Sequence, residues 1–328
     1  MYTFKLNEIK KKGKHLLRDT LMITTAMLLG WSLGYNNMAT IFGPLVISDI
    51  VKYRTATIMG AIFIFIGAFL GGNSGISTMS SITHVTFDVS VSSALGTAIV
   101  VLIMTHYSLP TSITQGIVGA LVGVGLIEGG INWWIVDKVA VSWLITPFGA
   151  LAIAYGSYFV VSIFYNRLKS IRLRGTMVRL MSFGFSIYAS YSLGANNLAN
   201  ITGPFVGDGL FGRNEALIIG GLAMAVGFLT ASKKVIYTVG RDITTMEPFD
   251  SAISIFGEGT SLLIFSFLGI PISSAQASVG STAGVGFVKG VKTVSLKTIF
   301  KIVTGWLMTP FITGAIAVII YMIMKIWG

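Results

Sequence analysis

Paired asparagines inside long apolar runs are the residues of this chain best placed to do chemistry. Leu33 to Val46 reads LGYNNMATIFGPLV and Leu193 to Val206 reads LGANNLANITGPFV. Asn36, Asn37 and Thr40 in the first segment, with Asn196, Asn197 and Asn200 in the second, offer amide and hydroxyl groups where a membrane span would offer hydrocarbon. Gly34 and Gly43 permit close backbone approach and unusual dihedrals, and Pro44 suits the first turn of a resuming helix, so an interrupted helix is expected between them. Within a bilayer a break survives only against protein or a watery cavity. Helix N-termini exposed there would present N–H groups and a partial positive charge, which suits an anion. The same asparagines could instead satisfy the broken backbone or join helices. Two copies in register favour a ligand site.

A second polar pair lies at two hairpin-like tips. Pro110-Thr111-Ser112-Ile113-Thr114-Gln115 recurs as Pro271-Ile272-Ser273-Ser274-Ala275-Gln276. Ser112, Thr114, Gln115, Ser273, Ser274 and Gln276 are neutral donors and acceptors that could replace the hydration shell of a tetrahedral oxyanion, or simply cap the tips. The glycines that follow, Gly119-xxx-Gly123 and Gly280-xxx-Gly284, fit close helix packing. Glu128 ends an apolar run, where a carboxylate is either a proton or cation relay or an interfacial residue. Asp49, Asp88, Asp208, Asp242, Glu247 and Asp250 fall in expected loops. His15, His84 and His106 lack ligand spacing, and the chain has no cysteine, so no metal site, iron-sulfur cluster or disulfide is expected.

The elements that must position these residues are membrane helices. Of 328 residues 53% are hydrophobic and 11% charged, with mean hydropathy +0.81; soluble domains carry about 25% charged residues. Apolar windows long enough to cross the bilayer recur throughout, so a multi-pass protein of the cell membrane is expected, without a cleavable signal peptide. The net charge of +11 sits between the windows, and no aromatic-basic module accompanies it, which argues against nucleic-acid binding.

An internal duplication organises the windows. Gly34 and Gly194 are 160 residues apart, Pro110 and Pro271 161, and the Trp143 to Phe148 segment (WLITPF) and its copy from Trp306 (WLMTPF) 163. The reading is a basic tail (1–19), a first repeat (20–164), a basic linker (165–180) and a second repeat (181–328). Each repeat holds five passes: about 20–47, 55–72, 91–107, 112–130 and 140–164, then 181–207, 215–232, 252–269, 275–288 and 302–325. The third and fourth of each meet at an uncharged tip, either as two full spans or, the favoured reading, as a re-entrant hairpin. Either choice leaves an odd number of crossings, which inverts the second half relative to the first. By loop, fourteen Lys and Arg fall on one side and nine on the other, which places the Arg167 to Arg179 linker in the cytoplasm and both termini outside. The basic tail argues the other way unless it lies along the interface.

These motifs resemble the inorganic phosphate transporters of the PiT type, with Gly-x-Asn-Asp-x-x-Asn-x-x-Gly-Pro in two halves and Pro-x-Ser-Thr-Thr-His tips. The resemblance covers nearly the whole chain. It implies an all-α inverted-repeat transporter with a central anion site, driven by sodium or protons. Gly34, Asn36, Gly43 and Pro44 match the first motif; Gly194, Asn196, Asn200, Gly203 and Pro204 match the second; Ser112, Thr114 and Ser273 match the tips, with Ser274 a conservative change. Asn37 and Asn197 stand where the family has aspartate, Gln115 and Gln276 where it has histidine, and Thr40 where it has the first motif's second asparagine. In the family those aspartates are expected to bind the coupling cation and accept a proton from hydrogen phosphate. Asparagine loses the charge, which weakens a sodium site and moves the balance toward sulfate, an anion without a proton. An uncoupled anion channel is the second class, and a homodimer is one assembly open to the fold. An enzyme is disfavoured, since no G-x-x-x-x-G-K-[ST], H-E-x-x-H or G-x-S-x-G element is present.

Overall fold

The computed structural model describes residues 2–47, 49–106, 111–207, 209–231, 246–290 and 294–327, and it is all-helical over them. In chain order the helices are α1 (Tyr2–Ile47), α2 (Tyr53–Gly71), the short α3 (Ile76–Ser80), α4 (Phe87–His106), α5 (Ile113–Glu128), α6 (Trp133–Arg167), α7 (Ile171–Gly207), α8 (Arg213–Thr230), α9 (Pro248–Phe267), α10 (Ser274–Lys289) and α11 (Leu296–Trp327). The expected passes are all present, and α3 adds a turn that hydropathy did not signal. The basic tail is helical within α1, and residues 168–170 separate α6 from α7, in keeping with Lys and Arg being good helix formers.

Both motif helices are continuous, which corrects the expected break. α1 runs through Gly34 to Pro44 without interruption, and α7 carries Pro204 in its last turns. The glycines serve contact between helices. A methyl group at Gly34 would stand 2.1 Å from the carbonyl oxygen of Met224 on α8, and one at Gly194 2.0 Å from that of Ile64 on α2. The partners reciprocate, since Gly227 sits against Trp31 and Gly67 against Tyr191. Close helix packing therefore offsets the roughly 1 kcal/mol that glycine costs a helix interior.

The two halves are interlocked. α1 packs on α8 while α7 packs on α2; α5 packs on α11 while α10 packs on α6. Gly30 lies against Ala223 and Gly34 against Gly227; Gly67 lies against Tyr191 and Gly71 against Ala195. At the hairpins Gly119 meets Pro310 and Gly280 meets Pro147, so the glycines after each tip let α5 and α10 approach a proline-containing helix of the last pass in a half. A single apolar core built on Leu33, Phe42, Ile64, Leu193, Phe205 and Phe228 runs through both halves.

Polar punctuation also shapes the hairpins. α5 and α10 each have 16 residues, and each starts at a serine cap: Ser112 Oγ accepts from Gln115 N at 3.2 Å and Ser273 Oγ from Gln276 N at 3.3 Å. The described tip residues are buried, including Thr111, Ser112, Ile272 and Ser273. Pro110 lies outside the described residues. The outer surface is apolar, with Leu144 and Phe148 on α6 and Leu307 and Phe311 on α11 each more than 60% exposed. Such a surface belongs in lipid, and α2, α4, α6 and α11 are long and apolar enough to cross a membrane.

Candidate functional site

The motifs and the tips meet, and they do so crosswise. Ser274 at the second tip donates to Asn37 Oδ1 of the first motif at 2.7 Å. Asn200 of the second motif donates through Nδ2 to Thr114 Oγ1 at the first tip at 2.9 Å. Thr114 in turn donates to the Ile272 carbonyl at 2.9 Å, which ties one tip to the other. Within the second motif Asn200 Nδ2 also reaches Asn197 Oδ1 at 3.0 Å. Every one of these residues is buried.

The asparagines divide into two roles. Asn196 is wholly occupied by backbone: Nδ2 donates to the carbonyls of Leu262 and Ile270, both at 3.2 Å, while Oδ1 accepts from Ile272 N at 3.0 Å. It fastens the second tip to the motif helix. Asn37 and Asn197 each donate back to the carbonyl four residues earlier, Leu33 and Leu193, which leaves their oxygens for other partners. Asn36 is half-buried, and Thr40 donates to the Asn37 carbonyl at 2.9 Å rather than to a tip.

Three buried amide oxygens in this cluster have no hydrogen-bond partner: Gln115 Oε1, Gln276 Oε1 and Asn200 Oδ1. Leaving a buried polar group unpaired costs about 1–3 kcal/mol, so such groups are few in folded proteins and each calls for an explanation. The same place receives two helix N-termini. The first intrahelical bonds of α5 and α10 are donated by Gly116 and Ala277, so the N–H groups of Ile113, Thr114, Ser274 and Ala275 precede them and point out of the helix ends. The positive ends come from the second arms of the hairpins, where a break in the motif helices was expected to provide them. Two such ends lie beside hydroxyl and amide groups, with no carboxylate among them, and N–H groups of this kind are the chemistry that anions take at helix N-termini.

Glu128 lies apart from this cluster. It is exposed at the C-terminal end of α5 and pairs with Lys325 of α11 at 3.3 Å, and Lys325 also approaches Asp88 at 3.8 Å. A buried carboxylate, Glu258, lies in the middle of α9, 1% exposed, with Oε1 unpartnered and Ser278 of α10 hydrogen-bonded to its carboxyl. Gly257 and Gly259 on either side press against Ala154 of α6 and Ala189 of α7 and seal it. Leu262, whose carbonyl holds Asn196, is one helical turn further along α9, and Ser261 Oγ beside it is also buried without a partner. The signal was legible: a carboxylate inside an apolar window is by default functional. Thr97 occupies the equivalent place in α4 and donates to the Ser93 carbonyl at 2.7 Å, so the first half lacks the charge.

Asp250, expected in a loop, is buried in the first turn of α9, where it accepts from Glu247 N and pairs with Lys289 of α10. Asp208 and Asp242 lie outside the described residues. No group of three His, Cys, Asp or Glu that could hold a metal ion occurs among the described residues.

The chain is similar to several known proteins. The profile of the phosphate transporter family matches residues 33–183 and again residues 172–317. The chain is 27% identical over 403 aligned residues to a Pyrococcus furiosus protein with the provisional name phosphate permease, covering 94% of this chain and 97% of that one. A protein of Methanocaldococcus jannaschii under the same provisional name is 29% identical, over 88% and 92% of the two chains. A sulfate permease of Bacillus subtilis is 27% identical, over 90% and 85%. A solved sodium-dependent phosphate transporter has the same fold, with a TM-score of 0.83 over 94% of this chain and 99% of that one at 22% identity.

Proposed function

The chain belongs to the phosphate transporter family, and on that premise we propose that it is a secondary transporter that binds a tetrahedral oxyanion between its two motif helices and its two hairpin tips. It is an integral membrane protein and a transporter rather than an enzyme. The observation that carries the reading is the meeting of the N-termini of α5 and α10 with unpartnered buried amides at Gln115, Gln276 and Asn200. When the anion enters, the Ser274 and Asn200 donors turn from Asn37 and Thr114 toward its oxygens, and the two tips part.

Inorganic phosphate is the anion that family membership favours. Sulfate is the second reading, and a specific feature favours it: Asn37 and Asn197 leave the cluster without a carboxylate to accept the proton of hydrogen phosphate, whereas an amide can donate to a fully deprotonated anion. Similarity to the Bacillus subtilis sulfate permease is in keeping with that. For coupling, Glu258 is the group that can carry a proton or help hold a sodium ion, since a buried charge needs a counter-ion. The halves are read as inverted repeats. The paired registers of α1 with α8 and of α2 with α7 are parallel, while α7 and α8 turn back on each other, which sets α1 and α7 in opposite directions.

Uptake of labelled phosphate into proteoliposomes, with sulfate as competitor and with sodium and proton gradients imposed separately, tests the proposal. Saturable uptake competed by one or both anions and accelerated by one gradient is expected. Absence of uptake of either anion in a well-folded preparation refutes it, and gradient-independent flux returns the channel reading.

A further inference from the structure

A cleft of about 570 Å³ opens where α6 ends and α7 begins. One wall is a stripe of α7: Arg172 and Arg179, seven residues apart, share a helix face with Gly175, beside which a side chain would meet nothing within 4 Å. Tyr165 closes the α6 side. Two carboxylates also line it, Asp49 in the α1–α2 turn and Glu247 at the cap of α9, together with Phe249. Charges of both signs thus line one cavity, two of each. None of the four takes part in an ion pair among the described residues.

The cleft lies at the end of α6, which is long and apolar enough to cross a membrane, and the neighbouring face of α7 presents Leu173 (54% exposed) and Leu180 (66% exposed), seven residues apart and about a quarter-turn from the arginines. Ile163 and Phe164 on α6 are exposed apolar residues as well. A ligand that enters here meets two guanidiniums and two carboxylates in the cleft and exposed leucines beside it.

We propose that this cleft is a binding site for a zwitterionic phospholipid headgroup bearing a primary ammonium, of the phosphoethanolamine class. The phosphodiester is gripped by the Arg172 and Arg179 forks, the ammonium donates to Asp49 and Glu247, and the acyl chains follow Leu173 and Leu180. A purely anionic headgroup or free phosphate would pair with the arginines and leave two carboxylates facing it. A quaternary ammonium would balance the charge but has no N–H to donate.

The test uses the purified, delipidated full chain in detergent, with its melting temperature followed against dihexanoyl lipids carrying phosphoethanolamine, phosphocholine or phosphoglycerol headgroups. Saturable stabilisation is expected with the phosphoethanolamine lipid, at an apparent affinity about tenfold or more above the other two, since each lost charge-assisted hydrogen bond is worth about a factor of ten. R172Q/R179Q abolishes that response while its lipid-free melting temperature stays within a few degrees of the parent. D49N/E247Q keeps binding but no longer prefers phosphoethanolamine over phosphoglycerol. Equal response of the parent to all three lipids, or a phosphoethanolamine preference that survives R172Q/R179Q, overturns the proposal. If that variant does not fold, D49N/E247Q decides alone, and an undiminished preference there overturns it equally.

Discussion

Replacing Glu258 with glutamine separates coupling from anion binding. The carboxyl is 1% exposed, one of its oxygens is unpartnered, and it is not ion-paired among the described residues. Glutamine keeps the shape and an acceptor for Ser278, so the variant should be as stable as the parent or slightly more, because a desolvated charge is removed. Its effect on transport is then set by arithmetic. A gradient of one pH unit stores about 1.4 kcal/mol per proton, enough for roughly tenfold accumulation of an anion that moves with one proton. A tenfold sodium gradient is worth the same. In proteoliposomes held at zero membrane potential, the parent should approach that tenfold ratio under whichever gradient drives it. Glu258→Gln should settle near equal concentrations inside and out, while exchange of internal for external anion continues within a few-fold of the parental rate. Full gradient-driven accumulation by the variant would refute the assignment of coupling to Glu258.

Three further outcomes follow from the geometry. Asn196→Ala orphans Ile272 N and two carbonyls, so it should cost about 2–4 kcal/mol and abolish uptake, read by thermal unfolding and transport together; parental stability would show that the tip is held by other contacts. Asn37→Asp with Asn197→Asp supplies proton acceptors beside the tips, and competition assays should show hydrogen phosphate favoured over sulfate and stronger sodium dependence. That double variant also sets carboxylates against the Leu33 and Leu193 carbonyls, at about 1–2 kcal/mol each. Gly34→Ala and Gly194→Ala force a methyl group against Met224 and Ile64 backbone, and each should lower stability by about 1–3 kcal/mol, whereas the control Gly149→Ala, at an open helical position, should leave it unchanged or raise it by up to about 1 kcal/mol.

The helices and the duplication were legible because polar residues punctuate apolar windows at a constant spacing, and the glycines after each tip fulfilled their packing role against Pro310 and Pro147. The break in the motif helices was misread. Glycine, asparagine and proline in a span are equally compatible with an unwound segment and with a continuous helix pressed on a neighbour, and only the carbonyls of Met224 and Ile64 distinguish the two. The crosswise contacts of Asn37 with Ser274 and of Asn200 with Thr114 are tertiary and leave no local trace. Glu258 was legible in principle, but averaged hydropathy over its window hides one carboxylate between two glycines.

The crosswise contacts carry a consequence for biogenesis. Asn37 and Ser274 are 237 residues apart in the chain. At roughly 5–20 residues per second the ribosome needs on the order of 12 to 50 seconds to deliver the partner after the asparagine has been made. Through that interval the first motif helix is committed to the membrane with its polar groups unmatched, and the second half, still unmade, supplies the surfaces of α8 and α10 that will cover them. Nascent chains halted before residue 273 should therefore remain within reach of the insertion machinery, and site-specific crosslinks from α1 to the translocon should persist until the second tip emerges.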